Sequence, residues 1–508
     1  MLAFELYLEA LGQSGLTLAS SWNSANTAEL MTIVGIYVHA FFLIFALGFP
    51  IVVIALESIG ILKKDEDYLS LAKNASKLWG ITFAVGAVTG TLVEFGLIVV
   101  WSGSIALIAS MAAAPLIIEL YAFIIEIVLI GTYLTTFNRF KRWKGIHVLI
   151  GLGVLFGSNL SAYMILAVNA WMQVPWGTGT VISQTFLPWV PSLGPLVFDP
   201  VKLKLLASAL PLLGSSLLSS PGAFQLLSNF TSDPWIAIFN PEAYITYVHN
   251  VLAAVIITSF LAASYSSFKI IKHYGSESYN WKGLKVSFFI AAVATFLQAF
   301  AGDLQGRLLY IFQRNIFDAT EGIPAGGGYD PIVSILLYGK PNHFFPGTNY
   351  LASLLPSGDT MGQLTLSATN LYTPILHFFY YSMVISGVIL AIIAVGYFGL
   401  YSKVIGRAVR IVLRMKEETF VLYGSFAGAA FSIVAGISGW AAREIGRHPW
   451  TVYGLVTYND VVNSHPITPL FTAGIIVLEI SIFLAGIWGI YMIYFRRLKG
   501  KHKGGGYH

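Results

Sequence analysis

Gly439-Trp440-Ala441-Ala442-Arg443-Glu444-Ile445-Gly446-Arg447-His448-Pro449-Trp450 is the stretch that decides how this chain is read. An apolar run from Phe420 to Ser438 leads directly into it. An arginine, a glutamate and a second arginine therefore arrive at the end of a membrane-spanning helix, before Pro449 interrupts the backbone. Charges at that depth are costly, and they are normally paired, packed against protein or bound to a charged ligand. Snorkelling to the interface accounts for Arg443. It accounts less well for Glu444 and Arg447, which sit in a Trp-flanked Gly-Arg-x-Pro-Trp turn. The stretch predicts a functional site at one membrane face.

The 508 residues are 56% hydrophobic and 10% charged, whereas a soluble chain carries about a quarter charged residues. The expected fold is all-α: a polytopic helical bundle used as a single integral-membrane domain over residues 1–508. Cysteine is absent, which excludes disulfides, thiolate metal sites, iron–sulfur clusters and covalently attached haem. Any metal chemistry must rest on His, Met and carboxylate. The first thirty residues lack a basic segment ahead of an apolar core, so no cleaved signal peptide is expected. The basic pI of about 9.0 needs no nucleic-acid partner, because the charges sort by membrane side.

Apolar runs of about 20 residues or more, long enough to span a bilayer, fall near 31–61, 79–102, 113–137, 146–172, 243–268, 283–302, 371–400, 418–442 and 470–495. All but seven of the 29 basic residues follow the first, third, fifth, seventh and ninth runs. The positive-inside rule then puts the N-terminus outside and the C-terminus in the cytoplasm. Nine spans require the same alternation. Residues 176–242 form an outer insertion whose Val201–Leu218 segment, interrupted by Pro211 and Gly214, reads as interfacial or re-entrant. Asn229-Phe230-Thr231 is a glycosylation sequon there, a weak signal. Residues 303–370 form a second long outer connection, and loops of that length usually carry function.

His39 lies about eight residues into the first span, roughly 12 Å deep. His249 and Met383 lie in the outer parts of the fifth and seventh spans. A lone intramembrane histidine is more often a hydrogen-bonded packing residue, and a lone methionine more often core. Two histidines, a methionine and Glu444 toward one side of the membrane shift the balance to metal ligands, since His and Met are axial ligands of haem. Glu119 and Glu126, seven residues apart, share one helix face about 10 Å apart. Such carboxylates can pass protons along a helix or simply bond to a neighbour. Ser158 and Ser161 in the fourth span can extend that path or pack against it.

The opening stretch resembles the Gly-Trp-x-x-x-Glu-x-Gly-Arg-Gln-Pro-Trp signature of cytochrome bd oxidase subunit I, with His448 where that family usually has glutamine. Three further motifs resemble the same family: Phe83-Ala-Val-Gly86-Ala-Val-Thr89-Gly90 through Glu94-Phe95, Gly157-Ser-Asn-Leu-Ser161 through Trp171-Met-Gln173, and Gly302-Asp303-Leu-Gln305. The resemblance covers roughly 31–172 and 243–496. It implies that His39 serves a high-spin dihaem site, with Glu119 and Glu444 as further candidate ligands. His249 and Met383 would be the low-spin pair, Trp440 and Arg447 would contact cofactor, and Glu126 with Ser158 and Ser161 would form the proton path. Asp303, Gln305 and Glu321 would bind quinol in the 303–370 loop. The implied cofactors are a low-spin haem b, a high-spin haem b and a third haem, d or b. The implied partners are quinol, O2, the lipid bilayer and a second membrane subunit, in a prokaryotic plasma membrane.

The sequence departs from the family at several of these places. Glu119 and Glu126 are seven apart where the family spacing is eight. Tyr381 stands where an arginine is common, and Ile316 replaces a quinol-contacting lysine, leaving Arg307 or Arg314 as substitutes. Two alternatives stay open: an oxygen reductase with a non-quinol donor, and a cofactor-free proton- or cation-coupled transporter.

Overall fold

The computed structural model describes residues 24–104, 108, 113–138, 144–174, 237–349, 360–401, 416–453, 456–462 and 468–494. Val201–Leu218 and the sequon lie outside the described residues. Among the described residues nine helices are long and apolar enough to cross a membrane. They are α1 (Ser24–Lys63), α2 (Glu66–Val100), α3 (Ala113–Thr136), α4 (Lys144–Gln173), α5 (Ala243–Ile271), α6 (Glu277–Phe312), α9 (Thr360–Tyr401), α10 (Glu417–Arg447) and α12 (Pro469–Tyr494). Between α6 and α9 lie α7 (Arg314–Thr320), β1 (Gly328–Tyr329), α8 (Pro331–Tyr338) and β2 (Phe344–Phe345). After α10 come β3 (Trp450–Val452), β4 (Val456–Thr457) and α11 (Tyr458–Val461). Each two-stranded pair is antiparallel, with Gly328 opposite Phe345 and Trp450 opposite Thr457.

Several helices outrun the apolar segments that mark them. α2 starts at Glu66 because Asp65 caps it, accepting a bond from the Asp67 amide. α6 starts on Ser276, which accepts from the Tyr279 amide, and runs through Gly302 and Asp303 to Phe312. Hydropathy reports the hydrocarbon-facing part of a helix, while its backbone bonds continue into the polar zone. α10 likewise continues to Arg447, so Glu444 and Arg447 are helical neighbours three apart rather than turn residues.

Neighbouring helices pair as α1 with α2, α3 with α4, α5 with α6, and α9 with α10. α5 also packs on α1, α4 and α10, and its most apolar window is 61% buried against 17% for α12. α5 is therefore the axis of the bundle and α12 its margin. One apolar core joins α1 to α4 through Phe49, Trp79, Tyr133 and Val154; another joins α5, α6, α9 and α10 through Phe260, Phe288 and Tyr397. Val128, Phe156, Phe300 and Trp488 face outward, as expected of helices solvated by lipid.

Candidate functional site

His39 on α1 meets α2. Its Nδ1 lies 3.1 Å from the Gly86 carbonyl oxygen and 3.3 Å from Thr89 Oγ1. A carbonyl only accepts, so Nδ1 carries the proton and Nε2 keeps a lone pair, the tautomer a metal ligand requires. Gly90 makes room for the ring: a Cβ there would lie 2.8 Å from His39 Cε1.

His249 on α5 sits with its Nε2 3.1 Å from the Gln298 amide nitrogen of α6, and its buried Nδ1 has no hydrogen-bond partner among the described residues. The backbone of Gly302 passes close by; a Cβ there would be 3.7 Å from His249 Cε1. Met383 on α9 rests on α10 at Gly439, where a Cβ would lie 2.7 Å from its sulfur. Beside Gly439, the buried Nε1 of Trp440 has no partner among the described residues.

One turn further along α10, Arg443 gives Nη1 to Glu242 Oε1 at 2.8 Å and Nε to Asn169 Oδ1 at 2.7 Å. Glu242 also accepts from Gln305 Nε2 at 2.9 Å, and the Asn169 amide reaches Glu444 at 3.5 Å. Arg447 pairs with Glu444 and is only 6% exposed. Among the described residues Arg443 Nη2 and Arg447 Nε and Nη1 are buried without partners. Tyr37, half a turn from His39 on α1, lies within electrostatic reach of Glu444.

On α3, Glu119 accepts from Ser161 at 3.0 Å and Glu126 accepts from Ser158. The two carboxylates thus face α4 as successive rungs, and each serine named from the sequence is the partner of one of them.

The outer connection separates the three residues named for quinol. Asp303 is exposed and paired with Arg307 at 2.7 Å, while Gln305, two residues on, turns to Glu242. Glu321 accepts from Tyr380 at 2.8 Å and Tyr381 at 3.2 Å. Burial raises the Glu321 carboxyl above its ordinary range, with the two tyrosine bonds and nearby His377 opposing that rise. Gly322, at φ 68°, lies under His377, and a Cβ there would be 2.8 Å from its ring. Both arginines offered in place of the missing lysine are already paired. Arg307 holds Asp303 and the Leu336 carbonyl, and Arg314 holds Asp318 at 2.9 Å while covering the Tyr310 ring at 4.0 Å. Ile316 is buried against Gly446.

Among the described residues no three His, Asp or Glu side chains gather closely enough to hold a bare metal ion. A macrocycle that brings its own four nitrogens and two carboxylates suits the donors better. Single side-chain donors at His249, Met383 and His39, a glycine-thinned wall at Gly439, and the donors of Trp440, Arg443 and Arg447 that are unpartnered among the described residues would fit haem.

Sequence reasoning missed Glu242, which anchors Arg443 from just outside the apolar run. It also missed Glu479 on α12, whose buried Oε2 has no partner among the described residues, and Glu57 and His147, which bond at 2.6 Å. An acid inside an apolar run, as at Glu57 and Glu479, was the available signal.

Fold and site together define a polytopic membrane protein whose buried polar groups fit tetrapyrrole cofactors. The model of the cytochrome bd terminal oxidase subunit I family matches residues 28–500, and the chain belongs to that family. Membership makes it a component of a terminal oxidase, a multi-pass protein of the prokaryotic plasma membrane. It is 26% identical over 465 residues to the cytochrome bd ubiquinol oxidase subunit 1 of Bacillus subtilis (strain 168), covering 88% of this chain and 86% of that protein. It is 25% identical over 440 residues to a putative cytochrome bd menaquinol oxidase subunit I of the same organism, covering 84% and 86%. The bd oxidase structure from Geobacillus thermodenitrificans superposes with a TM-score of 0.68 at 22% identity, covering 94% of this chain and 99% of that one.

Proposed function

We propose that this chain is the haem-bearing subunit of an oxidase that takes electrons from quinol at the outer face and reduces O2 to water with cytoplasmic protons. The observation that carries this reading is the set of buried donors unpartnered among the described residues at Trp440, Arg443 and Arg447, the first beside Gly439 where Met383 rests and the others one and two turns further on. When bound, haem supplies one-electron transfer and, at an iron with an open position, oxygen reduction.

The chain's residues divide that work. His249 and Met383 would hold the low-spin haem b. His39, with Glu119 and Glu444 as further candidate ligands, would serve a high-spin haem b and a third haem, d or b. Arg443 and Arg447 offer bidentate donors to propionates, and Glu242 and Asn169 fix the Arg443 head. Glu126–Ser158 and Glu119–Ser161 hold protons at two successive depths. Glu321 accepts a quinol proton in the outer loop, hydrogen-bonded by Tyr380 and Tyr381. A second membrane subunit completes the cover around the cofactors. Hydrocarbon then separates proton release from proton uptake, so the chemistry itself moves charge across the bilayer.

A non-quinol donor is the second reading, favoured by Ile316 in the lysine's place and by the prior engagement of Arg307 with Asp303 and the Leu336 carbonyl. A reduced-minus-oxidised visible spectrum of the purified protein, with haem extraction, tests the cofactor assignment. Low-spin and high-spin bands are expected, and a spectrum without haem bands overturns it. Oxygen uptake with quinol against an artificial donor then decides between the two readings.

A further inference from the structure

Below Glu126, toward the end of the bundle that the basic residues assign to the cytoplasm, three helices meet in a buried polar cluster. Glu57 of α1 is 3% exposed, Tyr133 of α3 is 0% and His147 of α4 is 1%. The Tyr133 hydroxyl donates to Glu57 Oε2 at 2.6 Å, and His147 Nδ1 lies 2.6 Å from Glu57 Oε1. His147 Nε2 lies 2.9 Å from the Tyr133 carbonyl oxygen, in the last turn of α3, and the two rings stack at 4.2 Å.

These contacts fix where the protons are. The carbonyl can only accept, so His147 Nε2 carries a hydrogen. The phenol donates to Oε2. One further proton lies between His147 Nδ1 and Glu57 Oε1, and either atom can hold it. The cluster is thus a store for one movable proton, roughly one turn in from Lys144, which pairs with Glu66 at 3.9 Å where α4 begins.

Its placement continues the rungs already described. Tyr133 is seven residues from Glu126, as Glu126 is from Glu119, so all three lie on one face of α3. His147 is eleven residues, close to three turns, from Ser158 on α4. Two turns of α3, about 10 Å, separate the cluster from Glu126. Buried Ile130 and Val154 lie in that interval, and an apolar break of this kind keeps two proton sites from equilibrating freely. A purely structural clasp has no need of ionisable groups, because apolar side chains of similar volume join helices as well or better.

We propose that Glu57 and His147, positioned by Tyr133, form the cytoplasmic proton-loading site that feeds Glu126. This rests on the reading that Glu126 and Glu119 carry protons from that end. In each transfer one proton leaves the pair through transient water toward Glu126, and one from cytoplasmic water replaces it. The pair is restored.

Glu57→Gln separates the relay from a clasp. The amide nitrogen can donate to His147 Nδ1 and the amide oxygen still accepts from the Tyr133 hydroxyl, but the side chain no longer takes a proton. In the assembled oxidase in vesicles, haem is read from the visible spectrum and proton uptake from a pH dye during a single turnover. Glu57→Gln is expected to keep the haems and slow proton uptake by about tenfold or more, on the order of what a positioned proton-transfer group contributes. Glu57→Asp should recover most of the rate. Wild-type uptake in Glu57→Gln, equal loss in the Asp and Gln variants, or loss of haem in Glu57→Gln each overturns the proposal. Glu126→Gln is the control. If it is slow while Glu57→Gln is normal, only the loading site fails; if it is normal, the proton-path reading fails and the proposal with it.

Discussion

Met383 and Gly439 fit together as knob and socket: the methionine sulfur occupies the space a side chain at 439 would need, 2.7 Å from the Cβ position. The contact brings α9 against α10 one residue from Trp440. Met383→Leu keeps apolar volume and removes the thioether, so packing should lose less than about 1.5 kcal/mol. If Met383 is an axial ligand, that variant retains haem with an altered low-spin band and a lower midpoint potential. His249→Ala should lose the band outright. An unchanged low-spin spectrum in Met383→Leu would make His377, six residues away on α9, the next ligand to test.

Gly90→Ala addresses the other histidine. The added methyl would press on the His39 ring, whose Nδ1 is tied to the Gly86 carbonyl, so the ring must turn and its Nε2 with it. The expected result is a weakened high-spin spectrum with the low-spin band intact. Loss of both bands together would mean that Gly90 supports the fold rather than the His39 site.

Glu242→Ala leaves the Arg443 guanidinium and the Gln305 amide without their shared acceptor inside the protein. Removing one partner of a buried ion pair typically costs about 3–5 kcal/mol. The variant should therefore unfold at a clearly lower temperature in detergent, and Glu242→Gln, which keeps an acceptor, should fall between it and the wild type. A wild-type melting temperature in Glu242→Ala would show that Arg443 finds another anion.

The nine spans found among the described residues were legible because apolar length is a strong signal, and the helix ends were not because caps such as Asp65 and Ser276 lie beyond the apolar residues. Helical spacing put Glu119 and Glu126 on one face and left Ser158 and Ser161 either to extend that path or to pack against it; which serine bonds which acid emerged only with α3 set against α4. Gln305 shows the limit. Its motif suggested the outer loop, but α6 continues through it and turns it toward Glu242, a partner 63 residues earlier in the chain. The Glu57–His147 pair was hidden for a similar reason: His147 follows a run of basic residues that reads as solvated loop, and only the fold brings it to Glu57, 90 residues away.

Glu321 gives the quinol reading a pH signature. Burial, with a smaller contribution from Asp330, raises its carboxyl above the ordinary range, and the Tyr380 and Tyr381 hydroxyls and His377 partly reverse the rise. To accept a quinol proton the group must be ionised, so quinol oxidation should rise with pH through that elevated value and fall away below it. Tyr380→Phe removes a hydrogen bond that favours the charged form, which raises the carboxyl further. The acid limb of the pH–rate profile should therefore move to higher pH while the alkaline plateau stays. Glu321→Gln should abolish the limb and depress quinol oxidation at every pH. Oxygen uptake from an artificial donor that bypasses the loop should stay near wild type in both variants. A limb that moves to lower pH in Tyr380→Phe, or an equal loss with both donors in Glu321→Gln, would remove Glu321 from the quinol site and favour the other electron donor.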